Sequence, residues 1–321
     1  MEAEALAAAH YQRQAQISLA ATRAAAGEWS QLGPDDLTAH WVARTGPRLV
    51  AIVTAGQRSA AEGATAYVGA TVVAQGARGP APGLTVDADA FAGVAADGRA
   101  LSSLLYQPVV RTKTALAGGA TTDDALRQGL ADLLTIVSTE VPDAGRAAVG
   151  TGITADLRSR GYVRVLSPPS CARCVVLAGK EYGWNKGFQR HPRCDCVHLP
   201  ITRYRRGAHT MDPEAYFARL GRAEQDRVFT AAGARAIRDG ADIAQVVNAR
   251  RSVYAVGSRG SRLLATREGM TRRGLARKRL KQLEAAGRAP ARVRLMPEAI
   301  YQLASDRQDA IRLLHRYGYL H

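Results

Sequence analysis

Between residues 4 and 32, small and apolar positions recur at helical spacing until Gly33-Pro34, so the pattern predicts one long Ala-rich helix. Asp35 or Asp36 is placed to cap a short helix carrying Leu37 and Trp41. A third helix is expected from Pro47 past Val73, with Leu49, Ile52 and Val53 early and Tyr67, Val68 and Val72 on a later face. Arg78-Gly-Pro-Ala-Pro-Gly83 reads as a turn or linker. Beyond it, Leu126, Leu130, Leu133, Leu134 and Val137 fall at i, i+4, i+7, i+8 and i+11, one stripe of a helix capped by Thr122. Pro142 is expected to kink or end that helix, with another running to about residue 160.

The pattern changes after Gly161. Tyr162-Val-Arg-Val-Leu166 alternates like a strand, and Val197 to Tyr204 supplies a second. Helical spacing resumes at 212–220, 223–239 and 242–250. A Gly-punctuated basic stretch follows, and then Pro297 opens a helix. Ser305 and Gln308 form a capping box, and Ile311, Leu314 and Tyr317 make an apolar stripe before Gly318. The expected fold is therefore mainly α, with a helical N-terminal half and a small α+β domain holding a zinc knuckle. Three segments are expected: a helical domain at 1–160, the α+β metal unit at 161–210, and a basic helical region at 211–321.

Composition agrees with packed helices. Hydrophobic residues make up 46% of the 321 positions, enough for a core, while aromatics are only 6% and alanine is abundant. Charge adds a sharper distinction. Of 44 basic and 28 acidic residues, 13 and 15 fall within 1–160, leaving 31 and 13 for 161–321. The whole excess of +16 thus lies in the second half, where it favours an anionic partner. The N-terminus lacks the pattern of a secretion signal, and the longest uncharged run, 63–77, is too short to span a bilayer. A soluble, intracellular protein without membrane or small-molecule partners is expected.

Disulfides are rare in such a compartment, so the four cysteines ask for another role. They fall as Cys171-x2-Cys174 and Cys194-x-Cys196, all within 26 residues, with His191 and His198 beside the second pair. Zinc takes four tetrahedral ligands from thiolate and imidazole, and a CxxC turn presents two sulfurs to one side of an ion. Structural zinc is the expected cofactor. Four cysteines are one ligand set; Cys171, Cys174 and Cys194 with His191 are the other. A disulfide frame and a CxxC redox site are the alternatives, disfavoured by the CxC spacing and by the second cysteine pair. His198 is expected to be a strand or surface residue.

Phosphate-binding GxxxxGK[ST], the GxSxG elbow and HExxH are all missing from the sequence. The stretch 259–294 carries 12 Lys and Arg against 2 Glu. Its densest points, Arg272, Arg273, Arg277, Lys278, Arg279 and Lys281, could neutralise nucleic-acid phosphates without reading sequence. A solvated charged face is the plainer alternative.

Two blocks, Cys171-Ala-Arg-Cys-Val-Val-Leu-Ala-Gly-Lys-Glu-Tyr182 and Phe188-Gln-Arg-His-Pro-Arg-Cys-Asp-Cys196, resemble those of tailed-phage head-morphogenesis proteins. The particular group is the Mu F-like minor capsid proteins of phages infecting actinobacteria. The resemblance extends through Gln245-Val-Val-Asn-Ala-Arg-Arg251, Thr266-Arg-Glu-Gly-Met-Thr-Arg272 and Met296-Pro-Glu-Ala-Ile-Tyr301, and the helix at 12–29 is similar in character. Ser252-Val253 departs from the Gly-Met expected there. The resemblance implies a protein of few copies, associated with portal and major capsid proteins in the head interior after assembly in the host cytoplasm. It also implies possible contact with packaged DNA. Some relatives carry the label capsid maturation protease, which is the alternative function; a non-specific DNA-binding zinc protein is the second.

Overall fold

The computed structural model describes residues 2–33, 36–80, 83–166, 170–187, 196–204, 212–257, 262–269 and 293–320. The chain forms two compact units, Met1–Pro168 with Gly179–Thr210, and Pro169–Ala178 with Met211–His321. Among the described residues the protein is mainly helical with two small sheets. The stretch 161–210, which the sequence pattern sets apart, contributes to both units.

The first unit is built on α1 (Glu2–Trp29), which turns Ala3, Ala7, Gln14, Ala21, Ala25 and Trp29 inward. Small side chains on that stripe let neighbouring helices approach closely. Asp36 caps α2 (Leu37–His40) by accepting from the Ala39 N–H, and a π-helical turn at Trp41–Thr45 leads into α3 (Gly46–Ala61). The single helix expected past Val73 is in fact two. Gly63 adopts φ +78, a conformation open to glycine, and α4 (Ala64–Ala74) starts afresh there.

Two helices have no counterpart in the sequence pattern, α5 (Leu101–Leu105) and α6 (Gln107–Ala117). Then α7 (Thr122–Ala155) runs for 34 residues, capped by Thr121 rather than Thr122. Pro142 sits inside it without ending it, contrary to expectation. An interior proline costs about 3 kcal/mol. Here α7 packs along α1, α3, α4 and α6, and Leu133, Val137, Val141, Val149 and Ile153 are buried on both sides of the proline. Burial on that scale, at about 2 kcal/mol per large apolar side chain, outweighs the lost bond.

Against one end of this bundle lies an antiparallel sheet of order β2-β1-β3. Its strands are β1 (Ser159–Val165), β2 (Glu181–Gly183) and β3 (Val197–Thr202). The register pairs Tyr162 with Tyr182, and Arg164 with His198. Gly161 is required by close approach, because a Cβ there would stand 2.0 Å from the Tyr182 carbonyl oxygen. Val163, Val197, Leu199 and Ile201 bury themselves with Ala3 and Ala7 of α1.

The second unit contains α8 (Ala172–Leu177), α9 (Pro213–Arg219), α10 (Arg222–Phe229), α11 (Ala231–Arg238) and α12 (Ile243–Ala249). A sheet of β4 (Val253–Val256), β5 (Leu263–Thr266) and β6 (Arg294–Leu295) follows, then α13 (Pro297–Leu303) and α14 (Arg307–Arg316). The single helix expected over 223–239 is divided by Thr230, the one non-glycine residue with positive φ (+68) among the described residues. Asp306, not Ser305, caps α14 by accepting from the Asp309 N–H; Ser305 instead donates to the Asp309 carboxylate. Arg294 ties this unit together from within. Its guanidinium donates to the carbonyls of Glu268, Tyr317 and Gly318 and to Gln245 Oε1, and lies 4.1 Å from the Tyr319 ring centroid.

Candidate metal centre

Cys171 stands at the N-cap of α8, and its Sγ accepts the Cys174 N–H at 3.4 Å. The CxxC sequence thus folds as a turn entering a helix, with Cys171 exposed and Cys174 fully buried. An N–H directed at sulfur favours the negative charge that a metal-binding thiolate carries. The turn is held in place by its own unit: α8 packs on α9 and α12, and the Ser170 N–H donates to the Tyr216 hydroxyl at 3.4 Å.

Cys196 belongs to the first unit and immediately precedes β3, where it is fully buried. Two arginines reach it. Arg164, 2% exposed on β1, donates from Nη2 to Cys196 Sγ at 3.3 Å, and Arg146 on α7 donates from Nε to the Cys196 carbonyl at 2.9 Å. Arg146 is in turn held by Asp143 at 2.6 Å. A guanidinium this deep needs an anionic or strongly polar partner, and a thiolate supplies one. Sequence analysis missed both arginines. A signal for Arg164 was present: a charged residue in the middle of an otherwise apolar strand.

His198 is a buried strand residue, as expected, stacked on Tyr162 with ring centroids 4.3 Å apart. Its carbonyl accepts from the Tyr67 hydroxyl at 2.9 Å. The His10 ring stacks on Tyr67 with centroids 4.0 Å apart. Burial, then the charges of Arg13 and Arg146, push the His10 pKa down to about 4, so this imidazole is neutral near pH 7. His10, Gln14, Ser18, Ser138, Arg146 and His198 line a cavity of about 410 Å³ between α1, α7 and β3.

Two of the five named metal ligands, His191 and Cys194, lie outside the described residues, as do Arg272, Arg273, Arg277, Lys278, Arg279 and Lys281. Among the described residues no three His, Cys, Asp or Glu side chains come together as an ion site. Glu181, an acid near the cysteines in sequence, is engaged at the surface by Arg160. No helix among the described residues is long and apolar enough to cross a membrane.

Comparison with known families finds a match to the one described as VG15 protein, over residues 1–223. Comparison with curated proteins and comparison with solved structures each found no match.

Proposed function

As this chain belongs to the VG15 protein family, a phage-associated family, we propose that it is a minor structural component of the phage head. In this role it acts during head morphogenesis beside the portal and major capsid proteins. The observation that carries the proposal is the family match through residue 223, a span that includes both cysteine blocks resembling Mu F-like minor capsid proteins.

A structural zinc ion is the proposed cofactor. Its ligands would be Cys171, Cys174, Cys194 and Cys196, or Cys171, Cys174 and Cys194 with His191. What supports this reading is the donor set, four thiols and an imidazole within 26 residues, with Cys171 Sγ of the CxxC turn accepting a backbone N–H. Zinc bound in such a closed set contributes folding energy rather than catalysis. The basic stretch that includes Arg272, Arg273, Arg277, Lys278, Arg279 and Lys281 is proposed to meet packaged DNA through its phosphates, which matches the concentration of positive charge in the second half.

The test is to co-express the chain with the neighbouring portal and capsid genes, purify the particles, and measure the intact mass of each component. The proposal expects the chain to stay with the particles and every capsid protein to keep its full mass. If a capsid or scaffold protein is shortened only when this chain is present, a capsid maturation protease replaces the structural role. Elemental analysis of the purified chain should find one zinc per chain, lost in Cys171→Ser; a metal-free, fully stable protein would remove the zinc.

A further inference from the structure

A second charged surface lies far in sequence from the basic stretch. The β1–β3 register pairs Ser159 with Thr202, so the start of one strand and the end of the other lie side by side. The turn before β1 brings Leu157 and Arg158, β1 itself brings Arg160, and the chain leaving β3 brings Arg203 and Tyr204. Arg78, in the segment after α4, completes a concavity of about 250 Å³ lined by these residues.

The four guanidiniums are not equivalent. Arg158 is locked by Asp156, whose carboxyl is held below the usual carboxylate range by that hydrogen bond, and Arg160 pairs with Glu181 at 2.7 Å. Arg78 and Arg203 are exposed and have no carboxylate partner among the described residues. Arg203 donates to the Tyr204 hydroxyl at 3.1 Å and sits 5.1 Å from its ring centroid. Two arginines therefore build the floor, and two remain to bind. Beside them Leu157 is 94% exposed and Tyr204 54% exposed, an apolar side chain and an aromatic ring that also carries the Arg203 guanidinium.

Arg78 comes from residues 1–160, which are slightly acidic as a whole, and Arg203 from the basic remainder of the chain. Planar guanidinium forks match phosphate oxygens, and an exposed tyrosine ring beside them offers a surface for a sugar or base. We propose that Arg78, Arg203 and Tyr204 form a second nucleic-acid contact on the first unit, binding the phosphodiester backbone without reading sequence. This contact rests on the proposal that the protein meets packaged nucleic acid, and adds a site on the first unit to the basic stretch at 259–294.

The experiment uses the full chain and a fluorescent duplex oligonucleotide of mixed sequence, with affinity followed by anisotropy across a salt series. The double variant Arg78→Gln/Arg203→Gln leaves the Asp156–Arg158 and Arg160–Glu181 pairs intact, and its circular dichroism and melting should match the parent. Each lost phosphate contact removes about 0.9 from the magnitude of the log–log salt slope, so the slope should fall by about two and low-salt affinity by at least roughly tenfold. Tyr204→Ala should weaken binding while leaving the slope unchanged. A parallel variant, Arg272→Gln/Arg273→Gln/Arg277→Gln/Lys278→Gln, separates the two sites. If the parent binds and only this second variant weakens it, the inference is overturned and the basic stretch stands. If the parent does not bind the duplex at all, both fall. Should the Arg78/Arg203 variant keep its DNA affinity yet lose a co-purifying acidic capsid protein, the surface is a protein interface and the nucleic-acid assignment is wrong.

Discussion

The Nη2 of Arg164 stands 3.3 Å from the Sγ of Cys196, and both side chains are buried in the first unit. Arg164→Met removes the guanidinium's hydrogen bond to that buried sulfur and should destabilise the protein by about 2 kcal/mol. Urea denaturation of the parent, Arg164→Met, Cys196→Ser and the double variant forms a thermodynamic cycle. A coupling above roughly 1 kcal/mol is expected. Strict additivity would mean that the guanidinium and the sulfur do not stabilise each other.

Gln75 takes the place of a neighbouring strand along β3. Its Nε2 donates to the Pro200 carbonyl at 2.6 Å and its Oε1 accepts the Thr202 N–H at 3.3 Å. Gln75→Leu has a similar volume but leaves both groups unsatisfied, a loss of about 2 kcal/mol. Amide hydrogen exchange at Thr202 should accelerate along with the loss of stability. Unchanged exchange there would contradict this role.

Thr230 holds φ +68 while its hydroxyl accepts from Gly233 and Arg250 and donates to Glu298. Backbone strain and side-chain bonding oppose each other at this residue. Thr230→Ala keeps the strain and loses the bonds, and should lose about 2 kcal/mol. Thr230→Gly also loses the bonds but relieves the strain, and should lie within about 1 kcal/mol of the parent. Chemical denaturation gives the order directly. A glycine variant less stable than the alanine variant would show that strain is not what the backbone is resisting.

His10 makes the first unit sensitive to acid. Its folded pKa is about 4 against 6.5 for a free imidazole, so the unfolded chain binds the extra proton between those values. Stability from this group is fully present above pH 6.5 and is lost as pH falls toward 4, with a ceiling of roughly 3 kcal/mol. Melting temperature measured from pH 7.5 to 4.5 should fall more steeply for the parent than for His10→Gln. Parallel curves would remove His10 as the cause.

Local chemistry was the most legible part of this chain. The Asp36 cap, the strand around Tyr162 and the CxxC turn depend on residues within a few positions of one another, and each is found where expected. Expectations failed where distant packing competes with local preference. Pro142 was expected to bend or end its helix, yet four helices packed along α7 keep it continuous. Residues 223–239 were expected to form one helix, but Thr230, bonded to Arg250 and Glu298 far along the chain, divides it.

By itself the sequence determined the helical character of the N-terminal half, the spacing of the cysteines as a CxxC and a CxC pair, and the placing of all excess positive charge after residue 160. Periodicity, spacing and charge are properties of neighbouring residues and need no fold to be read. Tertiary structure alone decided that Arg164 is buried beside Cys196 and that residues 169–178 join the second unit. It alone also gathered Arg78, Arg158, Arg160 and Arg203 around one concavity. The register of β1 against β3 and the packing of the surrounding helices set those neighbours, and free energy of that kind is shared by residues more than a hundred positions apart.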